Sequence, residues 1–215
     1  AVAMPWIDRV PAVLEAWFSG SEAGNALADV VFGAVNPSGK LPFTFPVRLE
    51  DNGAHALGEY PGADKVKYNE SIFVGYRWHD KEQLKPLFAF GHGLSYTAFA
   101  VGNVKADRTT LAPNGSIRIS ADVTNTGDRA GAEVVQLYIG DEQSSLPRPV
   151  KELKGFQKVS LNPGQTRTVT FEITSGMLQY YDDAKGAWVA EPGAFTAYVG
   201  AASDDIRGTV EFELK

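Results

Sequence analysis

The sequence predicts an α/β segment over residues 1–96, the end of a larger α/β sandwich domain, followed by an all-β, immunoglobulin-like sandwich over residues 97–215. Three observations predict this division. One short apolar run is followed by one amphipathic stretch near the N-terminus. Beyond residue 97, apolar and polar residues alternate in short runs. Turn-forming clusters separate those runs at the spacing typical of roughly seven antiparallel strands.

The first element is predicted to be a strand–helix unit. Residues 12–18 form a short apolar run, typical of a strand buried in a parallel sheet. Ser19, with Glu22 three residues later, predicts a capping box at the start of a helix. Gly33 predicts the end of that helix, because glycine tolerates a positive φ. The predicted apolar face of the helix consists of Ala23, Leu27, Val30 and Val31.

The rest of the first segment offers few partners for that strand. Residues 36–39 predict a turn, and residues 40–46 predict an edge strand or extended tail, because their prolines cannot donate to a sheet. Residues 50–70 are rich in Gly, Asp and Asn and predict a surface loop, whereas 71–78 return to an extended apolar pattern. Since a parallel strand needs neighbours, we expect the remaining strands to belong to polypeptide outside this sequence.

The strands of the second unit are predicted from period-two alternation. Five runs place apolar residues at every second position, which predicts half-buried antiparallel strands. Turns rich in Pro, Asn, Asp and Gly lie between them at residues 113–115, 125–128, 162–164, 183–186 and 191–193. The alternating apolar sets are Ile117, Ile119, Ala121 and Val123; Val135, Leu137 and Ile139; Val169, Phe171 and Ile173; Phe195, Ala197 and Val199; and Val210, Phe212 and Leu214.

Charge and composition exclude several classes of function. The net charge is -6 with an isoelectric point near 5.1, which argues against nucleic acid as a partner. There is no cysteine, so neither a disulfide framework nor a thiolate metal site can form. No apolar run is long enough to predict a membrane span. The N-terminus lacks an initiator Met and the features of a signal peptide, so we expect the chain to be cut from a longer one.

Seven blocks of the sequence stand out together: Met4-Pro5-Trp6-Ile7, residues 23–30, Asn36-Pro37-Ser38-Gly39-Lys40-Leu41-Pro42, residues 73–78, residues 91–97, residues 134–138 and residues 148–156. Together these blocks resemble glycoside hydrolase family 3. They occur in the order of that family and cover nearly the whole chain, and the second unit resembles its fibronectin type III-like domain.

The resemblance implies a retaining, exo-acting β-glucosidase, in which this chain is a C-terminal, non-catalytic part. Such an enzyme uses two carboxyl groups about 5–5.5 Å apart. In the family, the nucleophilic Asp and the acid/base Glu belong to motifs upstream of Ala1, so the chain alone is expected to be inactive. The implied partners are the N-terminal barrel and the rest of the sandwich domain, a β-glucoside through the complete enzyme, and a second copy in a homodimer. No cofactor and no metal are expected, and a periplasmic or secreted location is favoured over a cytoplasmic one.

Four residues are candidates for substrate binding: Trp6, Tyr76, Arg77 and Trp78. Trp6 is alternatively an aromatic residue packed at a domain interface. Glu70 and Asp80 flank the other three and suggest acid/base chemistry, but we expect them instead to pair with Arg77 or Lys81.

Two further features leave alternatives open. The three histidines, His55, His79 and His92, are too scattered to predict a metal site. Residues 142–148 lack periodicity and are either a solvated connection or a loop that reaches the barrel or a second subunit.

Two rival functions remain. The chain could belong to a β-xylosidase or another family 3 exo-glycosidase. A free-standing carbohydrate-binding or adhesion module would instead require a planar strip of exposed aromatic residues, for which the candidates are Tyr180, Tyr181, Trp188 and Tyr198.

Overall fold

The computed structural model describes residues 2–215. It contains three α-helices, α1 (Ala23–Val31), α2 (Gly53–Ala56) and α3 (Tyr76–Lys81), all in the first segment. Short 3-10 turns occur at Ile7–Arg9, Leu49–Asp51 and Ser175–Leu178. The strands are β1 (Phe99–Ala106), β2 (Thr110–Leu111), β3 (Ser116–Asn125), β4 (Gly131–Asp141), β5 (Glu152–Leu161), β6 (Thr166–Thr174), β7 (Tyr180–Asp182), β8 (Ala187–Val189), β9 (Gly193–Ala202) and β10 (Asp205–Leu214).

The strands form a two-sheet sandwich with one added hairpin. One sheet has three strands in the order β1-β3-β6, and the other has five in the order β2-β10-β9-β4-β5. The pairs are antiparallel except for the short contact between β2 and β10. Strands β7 and β8 form a separate hairpin. The prediction of an immunoglobulin-like sandwich is therefore confirmed.

The core of the sandwich consists of the predicted alternating residues. Leu137 on β4 and Val199 on β9 face each other as register partners, and both are fully buried. Ile117, Ile119, Ala121 and Val123 alternate with more exposed residues along β3. Phe195 and Phe212 stack with ring centroids 5.8 Å apart. Burial of these side chains is the main source of stability, at about 1.5–3 kcal/mol for each large residue.

Residues 41–45 pair with residues 88–92, the segment that leads from the first unit to the sandwich. Phe45 forms a bridge with Phe88, and the backbone N–H of Leu41 donates to the carbonyl of His92 at 2.8 Å. The N–H of Gly91 donates in return to the carbonyl of Leu41 at 2.8 Å. The prediction of an edge strand or extended tail at residues 40–46 is consistent with this pairing.

Four local predictions in the first segment are wrong. Residues 12–18 form no strand and are mostly exposed, because no neighbouring strand among residues 2–215 is available to bond their backbone. Ser19 does not cap α1: its hydroxyl donates to the carbonyl of Ala16 at 2.8 Å, and Glu22 takes the N-cap position without a side-chain hydrogen bond to the helix backbone. Residues 36–39 form no turn.

The fourth error concerns residues 71–78, where the chain becomes helical at Tyr76. Tyr76 and Asp80 are four residues apart, so a helix places both side chains on one face. Both contact the sandwich, and this docking favours the helix over an extended chain. The helix α1 and its end at Gly33, which has a φ of +76°, are as predicted. Among residues 2–215, no helix has the length and hydrophobicity needed to cross a bilayer.

Candidate functional site

The outer face of the five-stranded sheet is covered by α3 and the chain that follows it. Strand β4 is buried on both faces from Val135 to Gly140: Leu137 and Ile139 face the core, whereas Gln136 and Tyr138 face outward. Tyr138 is fully buried because the Tyr76 ring packs against it, with centroids 5.7 Å apart at an interplanar angle of 76°. We call this contact the junction, formed by α3, residues 88–92 and the outer faces of β4 and β5.

Hydrogen bonds fix the geometry of the junction. The backbone N–H of Leu153 on β5 donates to the hydroxyl of Tyr76 at 2.9 Å. The amide of Gln136 donates to the carbonyls of Gly91 at 3.1 Å and Ala201 at 2.6 Å. Because both of its donor bonds are made to backbone carbonyls, Gln136 ties the connecting segment directly to the sheet. Burial raises the pKa of Tyr138 well above its ordinary value, so its hydroxyl stays protonated and donates to Gln136.

Ion pairs reinforce the same contact. Lys151 Nζ lies 2.6 Å from Asp80 Oδ2, and the Lys151 side chain is only 8% exposed. The Arg77 guanidinium lies 3.4 Å from the Glu152 carboxylate. Glu152 also pairs with Arg148 at 2.9 Å and with Lys154 at 3.4 Å. This network connects α3 to the strand that begins at Glu152.

The network shifts the pKa of two of its members. Burial raises the pKa of Glu152, but the surrounding cations, Lys154 first, outweigh burial and hold the pKa below its ordinary value. Burial lowers the pKa of Lys154 despite its attraction to Glu152. The Glu152 carboxylate is therefore held in its charged form, whereas burial makes the charged form of the Lys154 ammonium group less favourable.

A cleft of about 400 Å³ lies beside α3 at the junction. Two polar atoms of lining residues, Thr44 Oγ1 and His79 Nε2, are buried without a hydrogen-bond partner. The carboxylates in the lining are Asp80, which is paired with Lys151, and Asp204 in the turn between β9 and β10. The cleft thus offers at most one uncommitted carboxylate, whereas retaining glycoside hydrolysis requires two.

The structure brings three of the four predicted substrate-binding residues together. Tyr76, Arg77 and Trp78 are consecutive on α3, where the first two contact the sandwich. Trp78 is 6% exposed and lies against Gly53. Trp6 precedes the first 3-10 turn and is 37% exposed. Their role in substrate binding stays a prediction.

The expected ion pairs of Glu70 and Asp80 are wrong. Asp80 pairs with Lys151 instead of Arg77 or Lys81, because α3 presents this carboxylate to the sandwich. Lys81 pairs with its neighbour Glu82 at 3.1 Å. Glu70 Oε2 is buried without a hydrogen-bond partner.

The sequence interpretation missed the residues of the sandwich that hold α3. Lys151 and Glu152 lie in the block at residues 148–156, whose resemblance to the family indicates no contact with α3. One signal was available: Tyr138 occupies a solvent-side position in the alternation of β4, where a large aromatic residue indicates that something covers the face. Among the described residues 2–215, no three His, Asp or Glu side chains are grouped as metal ligands.

A second candidate surface lies at the N-terminal end. Helix α1 has no buried residue, and large apolar side chains around it are exposed. Phe18 and Phe32 are 106% and 86% exposed, respectively. Proteins seldom expose apolar surface on this scale unless it contacts another polypeptide or a ligand. The other exposed apolar residues of this surface, which we call the N-terminal apolar face, are Val10, Val13, Leu14, Trp17, Leu27, Val31 and Val35.

The aromatic residues expected to form a planar strip do not form one. Tyr181 and Trp188 on the β7–β8 hairpin are exposed, but their ring planes meet at 71°. Tyr180 and Tyr198 are half-buried. Residues 142–148 fold back onto this hairpin, because the N–H of Ser145 donates to Glu191 at 2.9 Å. Whether this loop also reaches another polypeptide stays a hypothesis.

Comparison with protein families matches both units of the chain. Residues 1–96 match the glycosyl hydrolase family 3 C-terminal domain, and residues 133–203 match the fibronectin type III-like domain.

Several relatives are similar over nearly the whole chain. The sequence is 52% identical over 216 residues to beta-glucosidase BoGH3A of Bacteroides ovatus, covering 99% of this chain and 29% of that protein. It is 50% identical over 206 residues to thermostable beta-glucosidase B of Acetivibrio thermocellus, covering 95% of this chain and 27% of that protein. The chain therefore spans less than a third of the length of these relatives.

Solved structures share the fold. The GH3 beta-glucosidase of Bifidobacterium adolescentis matches with a TM-score of 0.91 and 37% identity, over 98% of this chain and 31% of that one. The beta-glucosidase DesR of Streptomyces venezuelae, in complex with D-glucose, matches with a TM-score of 0.92 and 40% identity, over 100% of this chain and 28% of that one.

Proposed function

The chain belongs to glycoside hydrolase family 3, to whose C-terminal portion it corresponds, and from that premise we propose that it is the non-catalytic C-terminal part of a retaining, exo-acting β-glucosidase. The complete enzyme would hydrolyse terminal β-D-glucosyl residues. The names of the relatives support this activity, since both are β-glucosidases at half identity or more.

The observation that carries the proposed role is the N-terminal apolar face. A helix with no buried residue and a neighbouring apolar run without strand partners are stable only when other polypeptide covers them. In our proposal they complete an α/β sandwich layer whose other strands lie in the N-terminal portion of the enzyme, next to its barrel. The catalytic carboxylates also lie in that portion.

The β-sandwich acts as a brace in this proposal. The buried junction holds α3 and residues 88–92 on the outer face of the sheet, so these elements move together with the sandwich. Homodimer formation, which the family resemblance implies, is part of the proposal for the complete enzyme. A β-xylosidase or another family 3 exo-glycosidase is the alternative, because specificity resides in the portion that this chain does not contain.

The test is a fusion experiment. The chain should show no turnover of 4-nitrophenyl β-D-glucopyranoside by itself. Fused behind the part of the Bacteroides ovatus relative that precedes the matched region, it should restore hydrolysis, whereas that N-terminal part alone should not hydrolyse the substrate. Hydrogen exchange of residues 10–35 should slow strongly in the fusion protein.

Two results would contradict the proposal. One is hydrolysis by the isolated chain. The other is a folded fusion protein that lacks activity and leaves residues 10–35 exchanging as fast as in the isolated chain.

A further inference from the structure

The β7–β8 hairpin has two unlike faces. Its register pairs Tyr180 with Val189 and Tyr181 with Trp188. Tyr180 and Val189 are half-buried, whereas Tyr181 and Trp188 are 50% and 65% exposed. Since side chains alternate across a strand, Tyr181 and Trp188 share the face of the hairpin that points to solvent. Their ring centroids are 5.7 Å apart.

The base of the hairpin is rigidly held. The Arg148 guanidinium lies 5.3 Å from the centre of the Tyr180 ring and donates to the carbonyl of Leu178 at 3.1 Å. Asp182 accepts hydrogen bonds from the backbone of Ala184 at 3.0 Å and Lys185 at 3.2 Å, which closes the turn. The backbone that carries the exposed pair is therefore held in place before any ligand binds, and this lowers the entropic cost of binding.

Charge and area restrict what this pair can bind. Asp182, Asp183 and Glu191 outnumber Lys185 in and beside the hairpin, which disfavours phosphate groups and anionic membranes. Two side chains are too little surface for a stable protein interface, which needs about 800 Å² from each partner. A neutral ligand with a flat apolar face fits both restrictions.

Pyranose rings have such faces. Their axial C–H groups carry partial positive charge and pack on the electron-rich face of an aromatic ring. With planes at 71°, Trp188 and Tyr181 form a corner, in which one ring supplies a face and the other an edge. A corner suits one sugar ring of a single chain, whereas the flat surface of a crystalline polysaccharide requires coplanar rings.

We propose that Tyr181 and Trp188 form a binding site for single chains of neutral β-linked glucan. The choice of glucan rests on the proposed β-glucosidase function. The site would hold one part of a glucan chain and so raise the local concentration of chain ends at the enzyme.

A purely structural role would also explain the pair, because cross-strand aromatic contacts stabilise short hairpins. The experiment must therefore separate binding from folding. Trp188→Phe keeps a stacking face, whereas Trp188→Thr keeps the β-propensity of the position without the ring. Phe156→Thr is the matched control, since Phe156 is 66% exposed on β5 in the same unit.

Cellohexaose and laminarihexaose are titrated into the full chain and the three variants by calorimetry, and circular dichroism verifies that each variant folds. We expect at least one oligosaccharide to bind. Trp188→Thr should weaken that binding about tenfold or more, because central aromatic residues dominate small interfaces. Trp188→Phe should change it less than about threefold, and Phe156→Thr should leave it unchanged.

The inference is overturned if neither oligosaccharide binds, if Trp188→Thr binds as well as the parent chain, or if Phe156→Thr weakens binding equally. Adsorption to microcrystalline cellulose as strong as to swollen, amorphous cellulose would refute the corner geometry. Activity of the fusion protein on the aryl glucoside is scored separately. An active fusion protein without this binding would refute the glucan site on the hairpin and leave the proposed function intact.

Discussion

Replacing Arg148 with methionine should destabilise the β-sandwich by about 3–5 kcal/mol. The Arg148 side chain is 8% exposed and forms ion pairs with Asp141 at 2.9 Å and Glu152 at 2.9 Å. It also donates to the carbonyl of Leu178 at 3.1 Å. Methionine fills much of the same volume, so the variant tests the charge and its hydrogen bonds more than packing.

The size of the effect follows from what the substitution leaves behind. Asp141 has a side chain only 3% exposed, and after the change it would retain one bond, from the N–H of Gln143 at 3.1 Å. A buried carboxylate without its counter-ion costs several kcal/mol. The matched control is Arg207→Met, because the ion pair of Arg207 with Asp205 is 45% and 41% exposed. Exposed pairs of this kind contribute about 0–1 kcal/mol.

Urea unfolding followed by circular dichroism gives the free energy of unfolding of each variant. Adding Asp141→Asn to Arg148→Met should cost less than the sum of the two single changes, because the second change removes the uncompensated charge. The reasoning is refuted if Arg148→Met and Arg207→Met differ by less than about 1 kcal/mol, or if the double variant is strictly additive.

Three further predictions concern single sites. Asn125→Ala removes four side-chain hydrogen bonds of a fully buried residue and should cost about 2–4 kcal/mol of unfolding free energy, whereas Asn162→Ala, at an exposed turn, should cost less than about 0.5 kcal/mol. The pKa of Glu152 lies below its ordinary 4.5, because cations outweigh burial, so its ionised form stabilises the fold. The loss of unfolding free energy caused by Glu152→Gln at neutral pH should therefore shrink as the pH falls below 4.5 through the lowered folded-state pKa. A difference in unfolding free energy between the parent chain and this variant that grows in acid would contradict this. Gly91→Ala should lower the thermal unfolding temperature more than Gly186→Ala does. Both glycines have a positive φ, but only at Gly91 would a Cβ clash with a side-chain amide of β4, that of Gln136. Equal decreases in the unfolding temperature would refute the clash.

The sandwich could be predicted from sequence because its pattern is local. In strands such as β3, inward Ile117 and Ile119 alternate with outward Arg118 and Ser120, and the period alone identifies the buried face. Turn residues such as Asn162, Pro163 and Gly164 mark where strands end.

The secondary structure of the first segment could not be predicted in the same way, for a physical reason. Residues 12–18 have the composition of a buried strand, but a strand forms only when a neighbour accepts its hydrogen bonds. Ser19 and Glu22 have the spacing of a capping box, yet the backbone begins the helix three residues later than that spacing requires. Local patterns give the preference of a segment, and its partners determine whether that preference is realised.

The sequence by itself determined the order of the two units, the inward residues of the sandwich and the family resemblance. Only the tertiary structure decided which charges meet, since Lys151 and Asp80 are 71 residues apart in the chain. It also decided that the outer face of β4 is covered, and that Tyr181 and Trp188 form a corner instead of a flat strip. Periodicity reports which side of a strand is apolar, whereas contacts across the chain depend on how separate elements dock, and no local pattern encodes that.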